Sequence, residues 1–192
     1  MIREVIITSW NRAGRAHIAP MGVHEQGAHF LVMPFKPSTT LDNILETGHA
    51  VLNSTDDVRV FAGCLTGRRD WALCSCDRID GFRLRDSLSH LELELVRHEA
   101  DEQRPRLYCK VLHEALHQPF KGFNRAQFAV IEAAILVSRL HLLPFAKIET
   151  EIEYLRIGVD KTAGEREREA WDWLMQRIAE FRNPDAHAAG GS

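Results

Sequence analysis

The residues best suited to chemistry stand together in one run, Pro34-Phe35-Lys36-Pro37-Ser38-Thr39-Thr40-Leu41-Asp42-Asn43. A base and three hydroxyls lead into Leu41, Ile44 and Leu45, spaced as one apolar helix face, and Gly48 marks the stop. A helix N-terminus offers backbone N–H groups with no partner inside the helix, at the positive end of the dipole. Lys36, Ser38, Thr39 and Thr40 therefore suit a phosphate. The same residues also fit a plainer role. Ser38 or Thr39 can cap the helix, with Asp42 three positions after Thr39 as a short capping box, while Lys36 is solvated. Taken alone, the segment supports both.

The remaining candidates are weaker. His17, His24 and His29 are spread across what reads as a hairpin, with no helical His-x-x-x-His pair and no carboxylate cluster beside them, so no metal site is expected. Cys64, Cys74, Cys76 and Cys109 contain one close pair and no second at zinc-ribbon distance. They read as reduced thiols of a cytoplasmic protein. Glu92 and Glu94 alternate with Leu91, Leu93 and Leu95, which predicts a solvated strand face rather than paired catalytic acids.

These residues need elements to hold them. In 192 residues, 24 Lys and Arg against 27 Asp and Glu give a net charge of −3 without a basic run, so no nucleic-acid partner is expected. There is no run of some 18 apolar residues for a membrane span, and Met1 to Val5 does not open like a secretory signal. Residues 4–10, 17–23 and 28–33 read as three strands of an antiparallel meander, with Pro20 at an edge or bulge. His49–Asn53 starts another strand, 58–62 is strand or short helix, and residues 71–76 form a short apolar stretch. Residues 89–97 and 106–116 form a hairpin around the polar loop 98–105. The last third reads as helical. Residues 124–143 are apolar nearly all round, which suggests a subunit interface and partners for Glu132 and Arg139. Residues 148–158 read as strand or loop. A final helix opens with a Thr162-x-x-Glu165 capping box and buries Trp171, Leu174, Ile178 and Phe181. A single domain over residues 1–182, with a helical appendage from about 124 and a flexible tail over 183–192, is expected.

Several short motifs, in order, resemble a known family. Glu4-Val5-Ile6-Ile7-Thr8-Ser9, Gly14 and His17-Ile18-Ala19-Pro20-Met21-Gly22-Val23 look like the opening of FMN-binding split-barrel proteins. The closer likeness is to the group known as domain of unknown function 447, in which Pro34, Phe35, Lys36, Ser38, Thr40 and Asn43 fit a pattern of Pro, aromatic, base, hydroxyl and Thr-x-x-Asn. Gly122 to Ala126, Glu132 to Ile135, Arg139-Leu140 and Val159 to Gly164 resemble it too, so the likeness runs from about Ile2 to about Ile178.

The resemblance implies a mainly β, α+β fold: a six-stranded antiparallel split barrel with C-terminal helices, forming a homodimer with FMN at its interface. Lys36, Ser38, Thr39 and Thr40 would hold the phosphate with Asn43 nearby. Met21, Gly22, Pro34 and Phe35 would flank the ribityl chain or ring, and Asn53 would contribute from the next strand. The implied activity is that of a flavin-dependent oxidoreductase or flavin reductase of unknown substrate, since a flavin would carry the chemistry that no side-chain constellation here supplies. The alternatives are a non-catalytic flavin-binding redox sensor, carrier or assembly factor, with a role near pterin-dependent one-carbon metabolism, and a structural dimer whose hydroxyls only cap a helix.

Overall fold

A computed structural model describes residues 1–183. The chain forms two compact units, one from Met1–Asp56 with Asp70–Phe120, the other from Asp57–Arg69 with the chain from Lys121 onward. Pro184 onward, and with it nearly all of the expected tail, lies outside the described residues.

The first unit is a closed antiparallel barrel. Its strands are β1 (Ile2–Trp10), β2 (Ala16–Gln26), β3 (His29–Val32), β4 (His49–Ser54), β7 (Ser89–Glu99) and β8 (Arg106–Leu116), in the order β1-β2-β3-β8-β7-β4 with β4 closing on β1. A short hairpin, β5 (Leu73–Ser75) and β6 (Phe82–Leu84), is inserted between β4 and β7. The expected meander is present. Pro20 pairs with Ile6, and β2 meets β3 only from His24 onward, so the flank of β2 beside Pro20 has no strand to receive an N–H.

From Val5 to Trp10 β1 is buried on both faces, so Val5, Ile6 and Ile7 follow one another without polar alternation. Val5 and Ile7 join Val23, Val32, Leu52, Leu93 and Leu107 in the barrel core. On the other face Ile6 is fully buried, the Thr8 hydroxyl donates to Phe82 O at 2.7 Å, and Trp10 meets Phe82 edge-on at 6.3 Å.

Helix α1 (Thr39–Thr47) sends Leu41 and Ile44 into that same core, each burial stabilising by about 1.5–3 kcal/mol. Leu45, expected on this face, is 44% exposed. Gly48 ends the helix at φ 76°, a conformation that costs glycine little, and its N–H reaches Ile44 O at 2.9 Å.

One expectation fails on β7. Leu91, Leu93 and Leu95 do face the core, but Glu92 is fully buried rather than solvated; only Glu94 remains partly exposed, paired with Lys110. The loop after β5 folds over Glu92, and the backbone N–H groups of Asp77, Arg78 and Ile79 donate to its carboxylate at 2.6–3.2 Å. Burial pushes this carboxyl up, but these donors and His90 outweigh it and hold it below the ordinary carboxylate range.

The second unit packs α2 (Arg59–Leu65), α3 (Arg125–Ser138), α4 (Phe145–Thr162) and α5 (Glu165–Arg182) around Val58, Val130, Val137, Ile148, Leu155, Trp171 and Leu174. The undecided stretch 58–62 is therefore helical from Arg59, with Val58 as its N-cap, and 148–158 lie in α4, neither strand nor loop. Ile148, Ile152, Leu155 and Val159 supply its buried stripe at helical spacing. Asn124 caps α3, its Oδ1 accepting from Ala126 N at 2.7 Å. Thr162 does not open α5: it ends α4, and its Oγ1 accepts from Ala126 N and donates to Gly158 O. The N-cap of α5 is Gly164, whose N–H donates to Glu167 Oε2 at 3.0 Å. In α5 Trp171 and Leu174 are buried, while Phe181 is 41% exposed. Arg139 stands past the end of α3 as its exposed C-cap, so it carries no buried charge that needs a partner.

Candidate cofactor site

The run after β3 is fixed by the β7–β8 hairpin loop. Lys36 N donates to Gln103 O at 2.9 Å, Lys36 Nζ to Asp101 O at 2.8 Å, and Arg104 Nε to Met33 O at 3.1 Å. The Arg104 guanidinium also lies 4.7 Å from the centre of the exposed Phe35 ring, and Pro34 is buried. Asp101 organises the loop by accepting from Gln103 N at 2.9 Å and Arg104 N at 2.7 Å. The backbone N–H of Arg104, then that of Gln103, keep its carboxyl below the usual range. The Lys36–Pro37 peptide is cis.

Of the two possible caps, Ser38 is the one used: its Oγ accepts from Leu41 N at 3.2 Å. Thr39 follows exposed and Thr40 buried on the first turn, where the leading N–H groups have no carbonyl inside the helix. Asn43, one turn on, is buried and donates from Nδ2 to Ser9 Oγ of β1 at 3.1 Å. Together with Leu41 and Ile44 this bond fixes the helix N-terminus to the barrel wall. Lys36, Ser38 and Thr39 thus lie at least partly exposed along the run into the helix, with Thr40 buried behind them, and the run is held from below by the core and from the side by the 101–104 loop.

The other expected residues lie on the strands beside it. Met21 and Gly22 sit on β2 opposite Val5 and Glu4, and Met21 packs partly against the barrel core. Asn53 lies on β4 opposite Ile6, with its side chain committed to protein groups. Nδ2 donates to Ile6 O at 3.0 Å and Thr8 Oγ1 at 3.2 Å, and Oδ1 accepts from Leu84 N at 2.8 Å. No long-range role of the anchoring loop 101–104 is visible in the sequence, because its contacts join residues 65 or more apart in the chain. The Asp-x-Gln-Arg of a tight turn was the only local trace.

Family models match in two blocks: residues 3–118 fit the model described as "Protein of unknown function (DUF447) N-terminal domain" and residues 124–176 that described as "Protein of unknown function (DUF447)". The chain belongs to the DUF447 family. A solved FMN-bound DUF447 protein from Methanosarcina mazei is similar in fold, with a TM-score of 0.79 at 19% identity over 92% of this chain and 94% of that one. The flavoredoxin of Methanosarcina acetivorans superposes with a TM-score of 0.52 at 15% identity, over 60% of this chain and 69% of its own. The 2-nitrobenzoate 2-nitroreductase of Pseudomonas fluorescens gives 0.51 at 20% identity, over 59% and 64%. The likeness to the last two spans only part of the DUF447 chain. The six-stranded barrel with added helices is the architecture of this DUF447 protein, as its family resemblance implied.

Proposed function

We propose that this DUF447 chain binds FMN through the Pro34–Asn43 segment and acts as a flavin-dependent oxidoreductase. The observation that supports this reading is the anchored run into the α1 N-terminus, which carries Lys36 and three hydroxyls in sequence, in a family with an FMN-bound member. The residues fit a phosphate ester. Lys36 Nζ spends one of its three N–H donors on Asp101 O and has two left. Ser38 accepts with one lone pair from Leu41 N and can turn its O–H outward. Thr39 and Thr40 add hydroxyl and backbone donors. Asn43 holds the helix in place rather than the ligand. Met21, Gly22, Pro34 and Phe35 would flank the rest of the cofactor, and Asn53 would support β1 and β6 beneath it.

Bound FMN would supply hydride or single-electron transfer. The protein's part is to fix the anion, orient the cofactor against β2 and the Phe35 ring, and exclude water there. We also propose a homodimer, supported by apolar side chains at the surface such as Leu116 and Phe128, which are 76% and 56% exposed. A cytoplasmic setting agrees with four cysteines that are all thiols. Among the described residues no helix is long and apolar enough to cross a membrane.

The test is a visible spectrum of the purified protein, followed by titration with FMN and then with NADH, NADPH and reduced pterins under anaerobic conditions. Saturable FMN fluorescence quenching at one per chain, with donor-dependent bleaching, is expected. Binding without reduction by any donor would leave a flavin-binding carrier or sensor; no binding at high FMN would overturn the reading.

A further inference from the structure

The buried Glu92 belongs to a second constellation, away from the 34–43 run in sequence and unrelated to the flavin reading. His90 and Glu92, neighbours on one face of β7, are both fully buried. His113 on β8 stands directly opposite Glu92, next to a bulge in the β7–β8 pairing. The loop that covers Glu92 delivers Asp77. Their ligand atoms converge: His90 Nε2 lies 3.2 Å from Glu92 Oε1 and 3.6 Å from Asp77 Oδ2, and His113 Nε2 lies 3.3 Å from Asp77 Oδ2. All four lie within 4.8 Å of one another.

Backbone N–H groups satisfy Glu92, but hydrogen bonding explains the rest of this arrangement poorly. A single N–H at His90 Nε2 would face two carboxylates, and two carboxylate oxygens crowd together with one of them in the interior. Like charges so placed call for a cation between them. Four-coordinate zinc, with bonds of about 2.0–2.1 Å to nitrogen and oxygen, separates its ligand atoms by about 3.3 Å, close to the three separations here.

We propose that Asp77, His90, Glu92 and His113 bind one divalent transition-metal ion, zinc by preference, as a four-ligand structural centre. The surroundings are those of a metal site. His90 Nδ1 lies 2.9 Å from His117 Nε2, an outer partner that would fix the ring's tautomer with Nε2 toward the metal. The Glu92 carboxylate is oriented by three successive backbone N–H groups of residues 77–79. The side chains of Asp77 and His113 are 50% and 28% exposed, which gives the ion a way in. Two neutral imidazoles and two carboxylates suit zinc or cobalt better than calcium or magnesium, which take oxygen ligands. The ion would tie the loop between β5 and β6 to β7 and β8.

The test uses the full chain, stripped with EDTA and titrated with Zn²⁺ against a chromogenic chelator, and separately loaded with Co²⁺. The expected results are one tightly bound zinc per chain, a raised Tm on loading, and the intense visible d–d bands of four-coordinate cobalt. Because His90 is fully buried, the informative variants are His113→Ala and Asp77→Asn, checked for fold by circular dichroism. Each should weaken zinc at least tenfold, while His24→Gln/His29→Gln leaves it unchanged. Absence of stoichiometric zinc overturns the site. So does six-coordinate cobalt, a folded His113→Ala protein that binds as tightly as the parent, or equal loss in the His24/His29 control. None of these readouts depends on FMN.

Discussion

The indole of Trp10 lies so close over the backbone of Gly81 that a Cβ built at Gly81 would stand 2.1 Å from the ring. This contact lets the segment before β6 lie flat on the outer face of β1. It also makes residue 81 a position where only glycine fits without movement.

Gly81→Ala should therefore destabilise the protein by about 1–3 kcal/mol, the usual cost of forcing an extra methyl into a packed site. Urea unfolding should show a lower midpoint with little change in slope. A midpoint equal to the parent's would mean that Trp10 moves aside freely.

Asn53 is the polar counterpart of that contact, since its side chain links β1, β4 and β6. Asn53→Ala strands the buried N–H of Leu84 and should cost about 1–3 kcal/mol for that group alone. The loss is expected in thermal unfolding with or without added FMN.

For the proposed flavin site, Lys36→Ala should weaken FMN about tenfold or more, because a charge-assisted hydrogen bond to phosphate contributes about 1.5–3 kcal/mol. Riboflavin, which lacks the phosphate, should bind both proteins alike. Fluorescence quenching measures both. A Lys36→Ala protein with unchanged FMN affinity would assign Lys36 to its Asp101 contact alone.

The thiols give a pH prediction. Burial raises Cys64 to about 11, partly offset by Arg69, and raises Cys109 to about 12. The thiolate is the reactive form, so roughly one Cys64 in a thousand would be ionised at pH 8. In the folded protein, alkylation at both sites should be slow at pH 8 and speed up as pH rises toward 11. Unfolding in denaturant should remove the protection. Peptide mass spectrometry reads both.

How much of this was legible in the chain differs by element. The meander, the α1 stop at Gly48 and the apolar side of β7 follow from local pattern, and so does the cluster of Lys36 and hydroxyls before a helix. Residues 148–158 resemble a strand because Glu149, Glu151 and Glu153 alternate with Ile148, Thr150, Ile152 and Tyr154, hiding the longer Ile148, Ile152, Leu155, Val159 spacing. The capping box expected from Thr162 stands two residues before the true N-cap, Gly164, because Thr162 has the right chemistry for a cap and spends it on α3 instead.

By itself the sequence determined the family, the barrel with its helices, and the run of Lys36 and hydroxyls before a helix, because these rest on neighbours in the chain and on the order of short motifs. Tertiary structure alone decided that Ser38 rather than Thr39 is the cap, that Asp101 and Arg104 brace the segment, and that Asn53 is spent inside the protein. It also overturned the solvated reading of Glu92 and brought Asp77, His90 and His113 around it, where the chain alone suggested no metal site. The reason is physical. Alternation along a strand says which residues share a face, but whether that face meets water depends on a loop whose path is set by distant contacts.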